Sequence, residues 1–243
     1  MNRPVSILMA CVLLVAVTGA VSAYEEREIT SGGSIVGSVR VVGEVPSLPR
    51  QPVYKHAADC GDSVRDERLV TGTKGELKNA VVFLDGVERG KPIRREQPVA
   101  LDNRQCAFVP HVLAATVGQS LAIHNSDSFL HDAHAYIGSR TLFNVAVPKG
   151  RTVSRVLGDQ GLVLINCNVR HTWMQAYIYV GENPYSAVSD DAGNYVLEDI
   201  EPGTYTLVVW HELLGSIDRR VTVESGKPTR LDFELPAAAA EAR

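Results

Sequence analysis

The sequence predicts an all-β protein, and three observations predict it. Beyond the first two dozen residues, no segment sustains a long helical period of apolar residues. In its place come short runs of strand character, among them SIVGSVRVVG, NAVVFLDGV, SLAIHN, LVLINC, AYIYVG, GNYVLEDI and TYTLVVWH. Gly, Pro, Asn and Asp separate these runs, as expected of a sandwich or barrel built from short strands.

The chain opens MNRPVSILMACVLLVAVTGAVSA: one positive charge, a short apolar run, and the small-x-small ending Val21-Ser22-Ala23. This reads as a cleavable export signal over 1–23, too short for a confident spanning helix. Cys11 precedes most of the apolar run, which argues against a lipid-anchoring site. The expected location is a bacterial periplasm, where disulfides persist. Losing Arg3 leaves 23 basic residues against 28 acidic ones. No basic patch interleaved with aromatics is present, which excludes nucleic acid as an expected partner. No later stretch is apolar enough to span a membrane, so the mature chain is not expected to do so.

Three cysteines remain after the leader: Cys60, Cys106 and Cys167. An odd number in an oxidising compartment leaves one thiol to be explained. Cys60 in ADCGDS and Cys106 in NRQCAF have polar, loop-like neighbours, and a disulfide between them is expected. Cys167 is then left over. It lies in LVLINCNVRHTWMQAYIYV, where His171 and Met174 follow within eight residues. Met174 is the only methionine outside the leader, so a general core-filling role has little support. Thiolate, imidazole and thioether are soft ligands that select copper over the hard cations. The bland reading, a small buried thiol beside a surface histidine, weakens when all three types share one loop.

Two resemblances organise the chain. Phe108, Pro110, Gly118, Asn125-Ser126-Asp127 and His131, followed by the Cys167 loop, resemble the central and last strands of cupredoxins, the plastocyanin and azurin fold. The resemblance covers roughly 101–181. It implies a Greek-key β-barrel or sandwich with one copper ion, held by His131, Cys167, His171 and the axial Met174. The loop reads C-x3-H-x2-M, close to the family's spacings without matching them. It also matches half of the C-x3-C-x3-H-x2-M loop of the dinuclear centre of cytochrome oxidase, but the position of the other cysteine holds Val163. One thiolate favours one ion. His134 competes with His131 for the upstream position; side chains alternate along a strand, so the two cannot face the same way. The family pattern places the ligand at His131. Asp132 stands where cupredoxins often carry Asn. His111 is a further candidate, as ligand or supporting donor, should its strand pair antiparallel with SLAIHN. His56, in an irregular or partly helical segment over 51–68, and His124 read as non-ligands. Trp173 is expected to pack beside His171 or to face a redox partner.

The second resemblance is to carboxypeptidase-regulatory-like (transthyretin-like) β-sandwiches. Ser34–Gly43, Asn79–Gly86 and Ala187–His211 carry it, with Gly193 and Gly203 expected to supply the turns. The expected organisation is 24–97, an N-terminal β segment; 98–182, the cupredoxin-like unit; 183–236, the regulatory-like segment; and 237–243, a tail. Whether the copper unit is inserted into the second sandwich or placed in tandem with it stays open. Other sites fail: HELLG has Gly215 where a zinc-binding helix needs a second His, Asp190-Asp191 suits a turn better than a calcium loop, and no nucleophile elbow is visible. The resulting expectation is a copper-binding electron carrier, not an enzyme, with a periplasmic redox partner such as a cytochrome. Copper delivery and a metal-free binding module are the rival functions.

Overall fold

In the computed structural model, residues 24–169 and 171–237 are described; the expected export signal and the last six residues lie outside them. The architecture is all-β, with a single four-residue helix, Ala57–Cys60, among the described residues. Two β-sandwiches account for nearly all of it.

The first sandwich is assembled from both ends of the chain. One sheet runs in the order Ser186–Val188, Val81–Asp85, Gly203–His211, Gly215–Val223. The other places Gly33–Val42 between Asn194–Ile200 and the parallel segments Pro228–Arg230 and Phe233–Pro236. Gly33–Val42 alternates strictly between buried and half-buried residues along nearly its whole length, as a strand with one face on a core must. Ile35, Val39, Leu84, Leu207, Val209 and Phe233 fill the space between the sheets. At Gly37 a side chain has no room, because a Cβ would lie 1.8 Å from the carbonyl oxygen of Leu231.

The second sandwich sits between the halves of the first, which answers the question of inserted against tandem order. Its smaller sheet is Thr152–Val156, Ser120–Asn125, Val99–Arg104, Ala107–Val109; its larger is Arg140–Val147, His131–Ile137, Gly161–Cys167, His171–Gly181, Val112–Thr116. Both sheets are open, so the unit is a sandwich and not a closed barrel. Leu101, Phe108, Leu121, Ile123, Val163, Ile165 and Ile178 form its core, and Cys167 and Met174 belong to the same cluster.

The turns are partly as expected. Asp190 Oδ1 accepts the backbone N–H groups of Ala192 and Asn194, an Asx turn closed by Gly193 at φ 75°. Gly203, by contrast, does not supply left-handed geometry. It starts a strand, and Asp199 takes the positive φ of 59° beside a register shift in the preceding one. The segment over 51–68 is more ordered than its sequence suggests. Gln51–Pro52 pairs with Ser63–Val64, and the helix Ala57–Cys60 forms the tip of this small hairpin.

Candidate metal centre

His131, Cys167 and His171 converge at one end of the inserted sandwich, all essentially without exposed surface. His131 opens its strand, and register places the ends of the neighbouring strands beside it: Gly161–Cys167 finishes and His171–Gly181 begins there, with Cys167 opposite His171. The loop before His131 is fixed by Asn125, whose buried amide donates to the carbonyls of Phe129 (2.8 Å) and Val147 (2.7 Å) and accepts from Asp127 N–H (3.0 Å).

The inward atoms are His131 Nδ1, His171 Nδ1 and Cys167 Sγ. The two nitrogens are 3.1 Å apart and lie 3.6 and 3.5 Å from the sulfur. A point equidistant from the three corners is about 2.0 Å from each, the ordinary length of an imidazole bond to a first-row ion and a few tenths of an ångström short of the roughly 2.3 Å of a thiolate bond, so the sulfur must draw back slightly to accept one. Hydrogen bonding favours the same use. His131 Nε2 donates to Asp127 Oδ2 (2.9 Å), which leaves Nδ1 without a proton and its lone pair aimed inward. His171 Nε2 meets His56 Nδ1 at 2.9 Å, so its Nδ1 also faces the centre. Two inward lone pairs at this separation in a buried site repel unless a cation or proton sits between them. Two imidazoles and one thiolate are a donor set that suits a soft first-row ion.

The electrostatics agree. Burial pushes the His171 imidazole down to about 4, with His131 and His56 adding to the effect. Burial also lowers His131, with Asp127 working against it. Both rings are therefore neutral at pH 7 and able to donate a lone pair. Burial pushes the Cys167 thiol up to about 12, while the backbone N–H groups of Asp132 and Val169 favour its thiolate. The sulfur becomes a ligand by giving up its proton, and those two amides are in place to stabilise the charge.

The other sequence candidates are distributed as follows. Met174 is buried in the core cluster that contains Cys167 and, with Trp173, lines a cavity of about 240 Å³. His134 is not brought to the centre. It lies on the opposite face of its strand, where its ring bonds to Thr141 Oγ1 (2.9 Å) and Asn168 Nδ2 (2.8 Å). His111 is not brought there either. Its strand pairs parallel with His171–Gly181 instead of antiparallel with Ser120–Asn125, which turns the ring toward the first sandwich, onto Gln175 O (3.0 Å) and Glu212. His124 bonds Thr152 on the surface. Asp132 does what a loop-fixing Asn would do, accepting the N–H of Asn168. Trp173 packs 5.3 Å from His171 and donates to Cys106 O (3.0 Å).

Two contributors have roles that the sequence reading did not assign. Asp127 holds His131 and also accepts the backbone N–H groups of Gln105 (2.7 Å) and Cys106 (3.0 Å). His56, 115 positions before His171, reaches it across the molecule. The expected disulfide Cys60–Cys106 is formed, with a Cα–Cα distance of 5.6 Å, and Cys167 is the free cysteine among the described residues.

Comparison with known proteins gives two results. Residues 155–236 match the family described as carboxypeptidase regulatory-like domain. The match begins in the inserted sandwich and supplies the C-terminal strands of the first, whose remaining strands, Gly33–Val42 and Val81–Asp85, precede it. No curated protein matches the chain. Among solved structures, an amicyanin variant in its reduced state is similar over 35% of this chain and 83% of its own, at 18% identity and a TM-score of 0.32. A purple cupredoxin from Nitrosopumilus maritimus is similar over 34% of this chain and 99% of its own, at 20% identity and a TM-score of 0.31. A copper-containing nitrite reductase from Thermus scotoductus is similar over 49% of this chain and 27% of its own, at 20% identity and a TM-score of 0.33. The chain thus contains a segment that matches a carboxypeptidase regulatory-like domain, and its similarity to the solved copper proteins is partial in coverage and low in identity.

Proposed function

We propose that this chain is an exported copper protein whose single mononuclear centre carries one-electron transfer in the periplasm. The observation that carries the reading is the triangle of buried, neutral donors, His131 Nδ1, His171 Nδ1 and Cys167 Sγ, each turned inward by its own hydrogen-bond partner or strand position. Met174, in the same core, would supply a thioether as the proposed fourth ligand. Copper held here would cycle between Cu(I) and Cu(II), with the thiolate providing electronic coupling.

The residues of the chain do the rest. The β-sheets fix three of the four donors at strand ends, so little need rearrange when the charge of the site changes. Phe129 packs tilted against both imidazoles, with ring centroids 5.0 Å from His131 and 5.4 Å from His171. A partner, proposed to be another periplasmic redox protein such as a cytochrome, docks at this end, where Tyr54 and Leu130 stand exposed. No helix among the described residues is long and apolar enough to cross a membrane.

The rival function, copper delivery, is disfavoured by burial: an acceptor cannot reach ligands that have no exposed surface. Voltammetry of the copper-loaded protein separates the two. Electron transfer predicts a reversible one-electron wave and slow loss of Cu(I) to a competing chelator. An irreversible wave with prompt loss of Cu(I) sinks the transfer role and supports delivery.

A further inference from the structure

Among the described residues, the hydrogen-bond partner of the outer nitrogen of His171, Nε2, comes from outside the sandwich that holds the centre. His56 reaches in from the tip of the hairpin over 51–64, and its ring stacks on Phe129 with centroids 3.9 Å apart and planes 15° from parallel. Its backbone is left-handed, φ 58° and ψ 34°. A non-glycine residue is strained there and persists only where its surroundings impose it. Those surroundings are identifiable. The carbonyl of His56 accepts the N–H groups of Asp59 and Cys60, both at 2.9 Å, making one rigid helical turn. That turn ends on the disulfide to Cys106. Asp59 also accepts from Ser128 Oγ at 3.2 Å, tying the tip to the loop that precedes His131.

Cys106 lies on a two-residue turn with Gln105, both at positive φ (61° and 53°), and this turn is held by Asp127, the residue that orients His131. The outer nitrogens of both imidazoles thus lead to the same disulfide, one through Asp127 and the other through His56. Outer partners of ligating histidines fix tautomer and ring orientation, and their loss ordinarily costs 10–100-fold in metal affinity.

We propose that His56 is a positioning residue of the metal centre, clamped against His171 by the Cys60–Cys106 disulfide. This rests on the copper reading above. The role differs from ligation: the ring does not face the ion, but it sets which nitrogen of His171 does.

The test is copper loading of the full mature chain, with visible absorption and EPR spectra and the rate of copper transfer to a chelator. His56→Ala is expected to release copper about 10–100-fold faster than wild type and to shift the EPR parameters. His56→Gln, whose amide oxygen accepts from His171 Nε2, is expected to recover part of the loss; it also serves if His56→Ala does not fold. The double variant Cys60→Ser/Cys106→Ser should move release in the same direction with every ligand intact. Wild-type release and spectra in both His56 variants overturn the proposal, and wild-type release in the double variant overturns the clamp. A wild-type protein without a copper–thiolate band overturns the copper reading itself, and this assignment with it.

Discussion

The molecule buries two pairs of histidines, and the difference between them separates a candidate place for a metal from a structural contact. His131 and His171 have their outer nitrogens occupied, by Asp127 and His56, and their inner nitrogens directed at each other and at Cys167. His111 and His211 lie where the two sandwiches meet. Both nitrogens of His111 are engaged, Nδ1 donating to Gln175 O and Nε2 to Glu212, so no lone pair is left for an ion. Burial works to lower His111, but the hydrogen bond to buried Glu212 outweighs it and holds the ring charged above the usual histidine range. His211 accepts from Leu213 N–H at Nδ1, and its Nε2 has no partner. Burial, with His111 adding to it, pushes this ring down to about 4. Equal burial therefore gives opposite chemistry, decided by whether the neighbours accept protons or leave lone pairs facing inward.

The comparison can be broken by substitution, with the largest effect at the centre. His131→Ala should abolish stoichiometric copper binding, measured by metal analysis after desalting, while His111→Ala should leave it at wild type. The reverse result would mean that the two sites have been assigned the wrong way round. His111→Ala has its own cost, because it strands Glu212 as a buried, unpaired charge; a loss of about 3–5 kcal/mol is expected in urea unfolding. A loss below about 1 kcal/mol would show that Glu212 finds water or another partner.

A smaller effect concerns pH. His211 has a folded value below its unfolded one, so its contribution is fully present above about 6.5 and is lost as pH falls toward 4. The loss amounts to about 3 kcal/mol at most. His111, raised, has the opposite sign: its contribution is present below about 6.5 and is lost as pH rises through its folded value. Unfolding curves from pH 7 to pH 4 should therefore be shallower in His211→Asn, whose amide oxygen can take the Leu213 N–H; identical curves would remove His211 from the account. Smallest is His134→Ala, expected to change stability by no more than about 0.5 kcal/mol and to leave the copper spectrum unaltered.

Much of this was legible in the sequence where the signal is local. The two-residue period of a strand separates His131 from His134, and the structure puts them on opposite faces. Cysteine counting in an expected oxidising compartment pairs Cys60 with Cys106 and leaves Cys167 free, as found. Asp190 and Gly193 mark their turn by type. What was not legible depends on which distant strands pair. His111 follows from a parallel partner for Val112–Thr116, a choice its own sequence does not encode. Insertion of one sandwich into the other rests on Gly33–Val42 pairing with strands about 190 residues later. His56 sits in a segment with no strand pattern, and only the disulfide hinted that this segment is drawn toward Cys106 and the centre beside it.

The central claim is that one copper ion is held by a thiolate and two imidazoles. Its most direct test is the visible and EPR spectrum of the mature protein loaded with one equivalent of Cu(II), beside Cys167→Ser. The account predicts an intense thiolate-to-copper charge-transfer band in the wild type that vanishes in the variant. A wild type showing only the weak absorption of adventitious copper, or a band that survives in Cys167→Ser, would contradict it.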